Sequence, residues 1–177
     1  SMVSVSGYGI ISGFTNDGNK IPEQTIPQYY DKLGFSYNKF ADSITVSETE
    51  WDFERYKPDI IVINLGTNDM NYATTDERKA EFEDGYLDFL KKVRSLNPDS
   101  YIFQTYGVMG TSLEENIENV RRKYMSETGD ERITFIPLTM QDEDADGIVA
   151  DWHPSPRTHS LVSQKVTAAI KKTLGYK

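Results

Sequence analysis

The sequence of 177 residues predicts an α/β fold with a parallel β-sheet. Short β-branched segments bounded by proline or glycine predict strands, and longer amphipathic segments between and after them predict helices. Because the two kinds of segment alternate along the chain, we expect βαβ units in three layers, with helices on both faces of the sheet. Ligands of such sheets bind at the carboxyl ends of the strands, so candidate functional residues are expected in the segments that follow the strands.

The strongest strand signal is at residues 59–65 (Asp-Ile-Ile-Val-Ile-Asn-Leu), between Pro58 and Gly66. Its continuous apolar run predicts a strand that is buried on both faces. Weaker signals of the same kind occur at residues 3–5, 101–104 and 133–136. The sequence therefore predicts four strands.

Three helices are predicted between and after these strands. Thr74 and Glu77 have the spacing of an N-terminal capping box, as do Ser112 and Glu115, and apolar residues follow each pair at helical period. The last helix is expected to start at the Ser-Pro pair 155–156, with the serine as its cap.

The composition limits the function. Aspartate and glutamate outnumber lysine and arginine by 28 to 19, and the net charge of −9 argues against nucleic acid or an anionic membrane as a partner. No apolar run approaches the roughly 18 residues that cross a bilayer. The chain has no cysteine, so disulfides, thiolate nucleophiles and cysteine-based zinc sites are excluded, and its two histidines leave little for a metal cluster. Without an internal repeat or linker, residues 1–177 are expected to form a single domain.

A glycine turn follows the predicted strand at 59–65 and carries Asn68 within residues 66–69 (Gly-Thr-Asn-Asp). The side-chain amide of Asn68 is a neutral hydrogen-bond donor of the kind that stabilises an oxyanion. Asparagine and aspartate are also ordinary turn residues, so this tetrapeptide alone leaves both interpretations open.

His153 lies in residues 151–155 (Asp-Trp-His-Pro-Ser), directly before the last predicted helix. Its imidazole could act as a general base near neutral pH, although an isolated histidine in such a loop is more often structural. His159, in the first turn of the helix, is expected to be a structural or surface residue.

Together the two motifs resemble those of the SGNH (GDSL-type) hydrolases. Residues 26–31 (Ile-Pro-Gln-Tyr-Tyr-Asp) and 51–69 further resemble the catalytic domain of carbohydrate esterase family 2, whose members deacetylate xylan and other plant polysaccharides. The resemblance covers almost the whole chain. It implies a flavodoxin-like α/β/α fold, an acetylated carbohydrate as substrate, no cofactor, and a secreted or cell-surface protein.

The resemblance also implies three catalytic roles. His153 would be the base that activates a serine, Asn68 would donate to the oxyanion through its side chain, and Gly7, within residues 6–9 (Ser-Gly-Tyr-Gly), would donate through its backbone N–H. Trp152, next to His153, is the best candidate for stacking against a sugar ring, although aromatic residues in loops are often packing residues.

Many SGNH hydrolases place an aspartate three residues before the histidine, where this chain has Ala150. Several family 2 esterases instead resemble a Ser-His dyad in which a backbone carbonyl orients the imidazole. Asp151 is therefore a weak candidate for a third catalytic residue. Three acidic residues nearby are further alternatives: Asp142, Asp144 and Asp146.

The nucleophile of the family lies in a Gly-Asp-Ser block that precedes the block containing Gly7, and this chain starts at the later block. Residues 41–45 (Ala-Asp-Ser-Ile-Thr) imitate the nucleophile signature. No apolar strand precedes them, however, and Ser43 is too close to Asn68 for a block order with Gly7 between the two. We therefore expect Ser43 to be a surface serine and the catalytic serine to lie outside this chain.

In the flavodoxin-like order 2-1-3-4-5, the missing first strand is central, between residues 3–5 and 60–65. Its absence would leave two unpaired strand edges, which are templates for another chain. We expect this position to be filled by a separate N-terminal fragment, by a swapped partner chain or by rearrangement. Direct pairing of residues 3–5 with residues 60–65 would contradict this expectation.

The leading hypothesis is a serine esterase that removes acetyl groups from carbohydrate, represented here by an N-terminally incomplete domain. One alternative is a carbohydrate-binding pseudoenzyme that keeps the cleft without turnover. A phospholipid or thioester acylhydrolase on the same fold would need a long apolar acyl channel, and the polar and aromatic loops make it the weaker alternative.

Overall fold

The computed structural model describes residues 2–35, 39–40 and 43–176. By their contacts the residues group into two compact units. The first comprises Ser1–Asp59 and Asn68–Ser100, and the second comprises Ile60–Thr67 and Tyr101–Lys177. A single domain over residues 1–177 stays a prediction.

The first unit consists mostly of irregular backbone before one long helix. Strands β1 (Lys39–Phe40) and β2 (Ile44–Thr45) pair in antiparallel orientation, and a 3₁₀ turn follows at Phe53–Arg55. Helix α1 (Asp76–Leu96) buries one face, on which the apolar residues recur at helical period. These residues are Phe82, Tyr86, Leu87, Phe89, Leu90 and Val93.

Helix α1 begins one residue later than the sequence predicts. Thr75, not Thr74, is the N-cap, and its hydroxyl oxygen accepts from the backbone N–H of Arg78 at 3.3 Å. The N–H of Thr74 instead donates to the carbonyl of Tyr72 in the preceding turn. The capping box predicted at Thr74 and Glu77 is therefore wrong by one position, because the turn occupies the first of two adjacent threonines.

The second unit contains a three-stranded parallel sheet in the order β3-β4-β5. Strand β3 spans Ile60–Asn64, β4 spans Tyr101–Tyr106 and β5 spans Ile133–Pro137. Helices α2 (Glu114–Thr128), α3 (Glu143–Asp146) and α4 (Pro156–Leu174) belong to the same unit. The predicted α/β fold with parallel strands is confirmed.

One face of this sheet is covered by α4. The buried side chains of Phe103, Ile136 and Leu138 form a cluster on that face. The apolar stripe of α4 packs against them, as its periodicity predicts: Val162, Val166, Ala169 and Ile170. The helix has Ser155 as its N-cap, whose hydroxyl oxygen accepts from the N–H of Thr158 at 3.2 Å, so the predicted start of α4 is confirmed.

The capping box predicted at Ser112 and Glu115 is wrong. Helix α2 begins at Glu114, and its N-cap is Leu113, which makes no side-chain capping hydrogen bond. Leu113 is fully buried, so the packing of this apolar side chain, and not a polar cap, sets the start of the helix.

Strand β3 is not buried on both faces, which corrects the sequence prediction. Ile63 is 6% exposed, whereas Val62 on the opposite face is 48% exposed. Within the described ranges, β4 is the only strand that pairs with β3, so the other edge of β3 has no neighbouring strand. An apolar strand is buried on both faces only where neighbouring elements cover it.

Residues 3–5 do not form the predicted fourth strand. Their β-branched residues give a local preference for extended backbone, but a strand also requires a paired neighbour. They do not pair with β3, so the pairing that would contradict an open position beside β3 is not observed.

Candidate active site

Gly7 and Asn68 lie close together in the first unit. Asn68 Nδ2 donates to the backbone carbonyl of Tyr8, the residue after Gly7, at 2.8 Å. This bond uses one of the two protons of the amide and leaves the other for a ligand. Within the described part of the chain, no residue accepts from the N–H of Gly7. The structure therefore brings two of the predicted oxyanion donors together.

The segment after Gly7 is held by a buried carboxylate, that of Asp69. Its two oxygens accept from three successive backbone N–H groups, those of Ile10, Ile11 and Ser12, at 2.8 to 3.0 Å. Asp69 is fully buried, and burial raises its pKa above the ordinary value while the three N–H donors oppose that rise. Asp69 thus fixes the segment that carries Gly7 against the segment that carries Asn68.

The sequence analysis did not identify the role of Asp69. An aspartate in a turn is usually solvated, and the sequence gives no sign that three N–H groups from residues 10–12 surround this one. Gly9 was a possible signal. A Cβ on Gly9 would lie 2.4 Å from Asp69 Oδ2 and 2.2 Å from the carbonyl oxygen of Ser12, so only glycine fits there.

Aromatic side chains surround the ring of Tyr8, whose backbone carbonyl accepts from Asn68. The ring of Tyr8 lies 6.2 Å from that of Tyr29 and 6.3 Å from that of Phe35. Phe35 is 42% exposed and Phe14 is 45% exposed. The backbone N–H of Phe14 donates to the carbonyl of Gly7 at 2.8 Å. The first unit therefore has two exposed aromatic residues, Phe35 in ring contact with Tyr8 and Phe14 bonded through its backbone to Gly7.

His153 lies in the second unit, in the loop between α3 and α4. Its Nδ1 lies 3.2 Å from the backbone carbonyl oxygen of Ala150, and its backbone N–H donates to the same oxygen at 3.2 Å. Because a carbonyl oxygen only accepts, the proton of a neutral His153 is on Nδ1, and Nε2 has its lone pair available. The imidazole is exposed. This geometry suits a general base whose orienting group is a backbone carbonyl.

Among the described residues, none of the acidic alternatives to this carbonyl is hydrogen-bonded to His153. Asp142 caps α3 by accepting from two backbone N–H groups, and Asp146 pairs with Arg157 at 2.7 Å. Asp144 is exposed in α3, and Asp151 is exposed with no hydrogen bond to His153 within the described residues.

The two residues before His153 have unusual backbone conformations. Asp151 has φ 54° and Trp152 has φ 63°, in the left-handed region that side chains other than those of glycine rarely adopt. Trp152 is 59% exposed, so its role in stacking against a sugar ring stays a prediction.

Ser43 is an exposed residue in a turn directly before β2. The other residues of the Gly-Asp-Ser-like pattern, Ala41 and Asp42, lie outside the described residues. Among those that are described, no group of histidine and acidic side chains could hold a metal ion, and no helix is both long and apolar enough to cross a membrane.

Comparison with known proteins gives a consistent family. The sequence model of the GDSL-like Lipase/Acylhydrolase family matches residues 7–161. Cellulase/esterase CelE of Acetivibrio thermocellus is 35% identical over 148 residues, which are 78% of this chain and 17% of that protein. Acetylxylan esterase / glucomannan deacetylase of Cellvibrio japonicus is 23% identical over 99% of this chain and 44% of its own length. The chain thus spans less than half of either relative.

Solved structures show the same fold. An acetyl xylan esterase (Est2A) from Butyrivibrio proteoclasticus superposes with a TM-score of 0.85 over 97% of this chain and 50% of that one, at 22% identity. A family two carbohydrate esterase from Clostridium thermocellum, in complex with cellohexaose, has a TM-score of 0.76 at 30% identity, over 97% of this chain and 49% of its own.

Proposed function

Because the chain belongs to the GDSL-like lipase/acylhydrolase family, we propose that it is the part of a serine carbohydrate esterase that holds the general base and two oxyanion donors. The observation that carries this proposal is the pairing of Gly7 and Asn68, two neutral donors fixed beside each other by the Asn68–Tyr8 bond and by Asp69. The carbonyl-oriented imidazole of His153 supports it.

In the proposed reaction a serine hydroxyl attacks the carbonyl carbon of an acetyl ester, and His153 Nε2 takes the hydroxyl proton. The negative charge moves to the carbonyl oxygen, which accepts from the N–H of Gly7 and from the second amide proton of Asn68. Each preorganised donor is worth about 2.7–4 kcal/mol of transition-state stabilisation. The protonated His153 gives its proton to the leaving sugar oxygen, and water then releases acetate from the serine.

The proposed substrate is an acetylated plant polysaccharide or oligosaccharide. One relative of this chain is named acetylxylan esterase / glucomannan deacetylase, and a solved relative is in complex with cellohexaose. The exposed indole of Trp152, next to His153, offers a flat apolar surface of the kind that binds a sugar ring. Such substrates lie outside the cell, so we propose a secreted or cell-surface location.

We further propose that the serine enters on a strand that pairs with the open edge of β3, supplied by an N-terminal segment or by a swapped partner chain. The two outer edges of the sheet differ. On β5 the last residue, Pro137, has no N–H to offer to a further strand, and the neighbouring N–H of Leu138 bonds inward to Tyr106 at 2.7 Å. On β3 the sequence Ile-Ile-Val-Ile-Asn contains neither proline nor charge, and Val62 is half exposed.

Hydrolysis of 4-nitrophenyl acetate tests the proposal. We expect no turnover above background by the 177-residue chain, and turnover when the segment that precedes it in its reading frame is added. In the longer protein, His153→Ala and Asn68→Ala should each lose about 10²-fold or more in kcat, and Ser43→Ala should change nothing. An inactive longer protein contradicts the proposal, and activity of the short chain that Ser43→Ala abolishes would assign the nucleophile to Ser43.

A second candidate function is carbohydrate binding without turnover. It is favoured by the exposed rings of Phe14, Phe35 and Trp152, which require no nucleophile to bind sugar. Binding of cellohexaose to a longer protein that does not hydrolyse acetyl esters would select this function over the esterase.

A further inference from the structure

One side chain, that of Gln141, holds the loop of His153 from outside. Gln141 Nε2 donates to the backbone carbonyl of Trp152 at 2.8 Å, and the backbone N–H of Gln141 donates to the carbonyl of Val108 at 2.9 Å. Within the described ranges, no other hydrogen bond reaches residues 149–153 from outside the loop. Gln141 therefore links the segment after β4 to the residue directly before His153.

The loop needs such support because its backbone is strained. Asp151 and Trp152 both have left-handed backbone conformations, which non-glycine residues adopt at a cost in free energy. The base of the loop is fixed, since Ser155 Oγ donates to the carbonyl of Asp146 at 2.7 Å. Among the hydrogen bonds of the described residues, the bond from Gln141 alone joins the strained apex at residues 150–153 to the rest of the second unit. Such conformations persist where the surrounding structure imposes them.

The orientation of the Gln141 amide is also informative. Gln141 Oε1 is buried and has no hydrogen-bond partner among the described residues. Turning the amide over would place this oxygen against the carbonyl oxygen of Trp152, where two acceptors would repel each other. The fold therefore keeps the donor toward Trp152 even though the other half of the amide is left unpaired, which is unfavourable for a buried group.

We propose that Gln141 is a positioning residue for His153. By holding the Trp152 carbonyl, it keeps the loop in the conformation in which the carbonyl of Ala150 accepts from His153 Nδ1–H and Nε2 carries the lone pair. The effect of Gln141 on the tautomer of the imidazole can be measured whether or not the protein is catalytically active. Its importance for turnover rests on the proposed function, in which His153 is the base.

The tautomer of His153 tests this inference directly in the 177-residue chain. Two-bond ¹H–¹⁵N correlations distinguish Nδ1–H from Nε2–H imidazole at about pH 8.5, well above the ordinary histidine pKa. We expect mainly Nδ1–H for His153, and in Gln141→Met we expect the ratio of Nδ1–H to Nε2–H to fall by roughly fivefold, equivalent to one ordinary hydrogen bond. The matched control is Gln164→Met, an exposed glutamine on α4, and His159 is the internal reference.

A folded Gln141→Met protein with an unchanged His153 ratio overturns the inference, even if its Tm falls, because a purely structural role would lower stability without moving the tautomer. If Gln141→Met does not fold, Gln141→Glu decides, since glutamate has the same shape but at this pH only accepts hydrogen bonds. A longer protein that lacks esterase activity while the tautomer responds as expected would contradict the proposed function and leave the positioning role intact.

Discussion

At the scale of single residues, the adjacent side chains of Asn68 and Asp69 differ in burial and in hydrogen-bond partners. Asn68 is half-buried, and one of its two amide protons is donated to the backbone carbonyl of Tyr8. The second amide proton is the one that the proposed function assigns to a substrate. Asp69 is fully buried, and its carboxylate accepts from the backbone N–H groups of residues 10–12. Three successive N–H groups that point to one anion form a concave anion site, which here is occupied by the protein's own side chain.

Removal of the Asp69 carboxylate should destabilise the fold strongly. Asp69→Ala leaves three buried N–H groups without an acceptor, and we expect it to lower the free energy of unfolding by about 3 kcal/mol, measured by urea denaturation. Asp69→Asn keeps one acceptor oxygen and should cost less. The control Asp88→Asn, at an exposed position of α1, should stay within about 0.5 kcal/mol. Equal effects of Asp69→Ala and Asp88→Asn would contradict the assignment.

The surroundings of Glu81 predict that the stability of the fold depends on pH. Its bond to Lys20, together with the hydrogen bond that it accepts from the Tyr72 hydroxyl at 2.7 Å, lowers its pKa below the ordinary 4.5. A carboxyl whose pKa is lower in the folded state stabilises the fold at pH values above its unfolded pKa, and this contribution is lost as the pH falls through the folded pKa.

The stabilisation by Glu81 should be below about 1 kcal/mol, because the pair is partly exposed. In urea denaturation, the wild-type protein should exceed Glu81→Gln in stability at pH 7, and the difference should shrink below about pH 4.5. The control is Glu131→Gln, at an exposed position. A difference between wild type and Glu81→Gln that stays constant down to pH 3 would refute the role of the charge.

At the scale of elements, packing and local turns decide where each helix starts. Of the three helix starts predicted from capping residues, one is confirmed, one is wrong by one residue and one is wrong. Helix α4 begins at the predicted Ser155, whose hydroxyl also donates to the carbonyl of Asp146. Helix α1 begins after the second of two threonines, and α2 begins after the buried Leu113. A residue whose side chain could cap a helix does so only if its own backbone is extended.

The two adjacent threonines before α1 provide a matched test. Thr75→Ala removes the acceptor for the N–H of Arg78 and should lower the free energy of unfolding by about 1 kcal/mol. Thr74→Ala removes no cap, and its effect should stay within about 0.5 kcal/mol. Thermal or urea denaturation of both variants decides between the two caps. A larger loss in Thr74→Ala would restore the capping box that the sequence predicts.

At the scale of the whole molecule, the open edge of β3 predicts different behaviour in short and long chains. Val62→Lys should cost less than about 1 kcal/mol in the 177-residue chain, because Val62 is half exposed. In a protein that includes the proposed N-terminal strand, the same substitution should cost about 2 kcal/mol or more, since the lysine would be buried against the added segment.

The control for this experiment is Ile63→Lys, on the buried face of the same strand. It should destabilise both the short and the long protein by several kcal/mol, because Ile63 is 6% exposed in the short chain already. If Val62→Lys has the same small effect in both proteins, no strand or helix covers this part of β3.

Strongly patterned segments could be predicted from the sequence, and isolated ones could not. The apolar run of β3 and the periodic faces of α1 and α4 depend on interactions within one segment, so their type was readable. Residues 3–5 were mistaken for a strand because pairing, which only a neighbour supplies, decides their structure. At the candidate site, Asn68, Gly7 and His153 were named because their motifs are contiguous. Asp69 was missed because its partners lie 57 to 59 residues away in the chain. Gln141 was missed because no local pattern marks a side chain that bonds a backbone carbonyl 11 residues later.

Periodicity and contiguous motifs were enough to assign the α/β class, the family and the candidate residues for acyl transfer. The bond between the Ala150 carbonyl and His153 Nδ1, and the buried support by Asp69, became visible only in the fold. Both depend on which backbone groups meet a given side chain. These contacts form only when the segments pack together. Because nearly every residue has the same backbone N–H and C=O groups, the sequence does not show which residue supplies the bonded group.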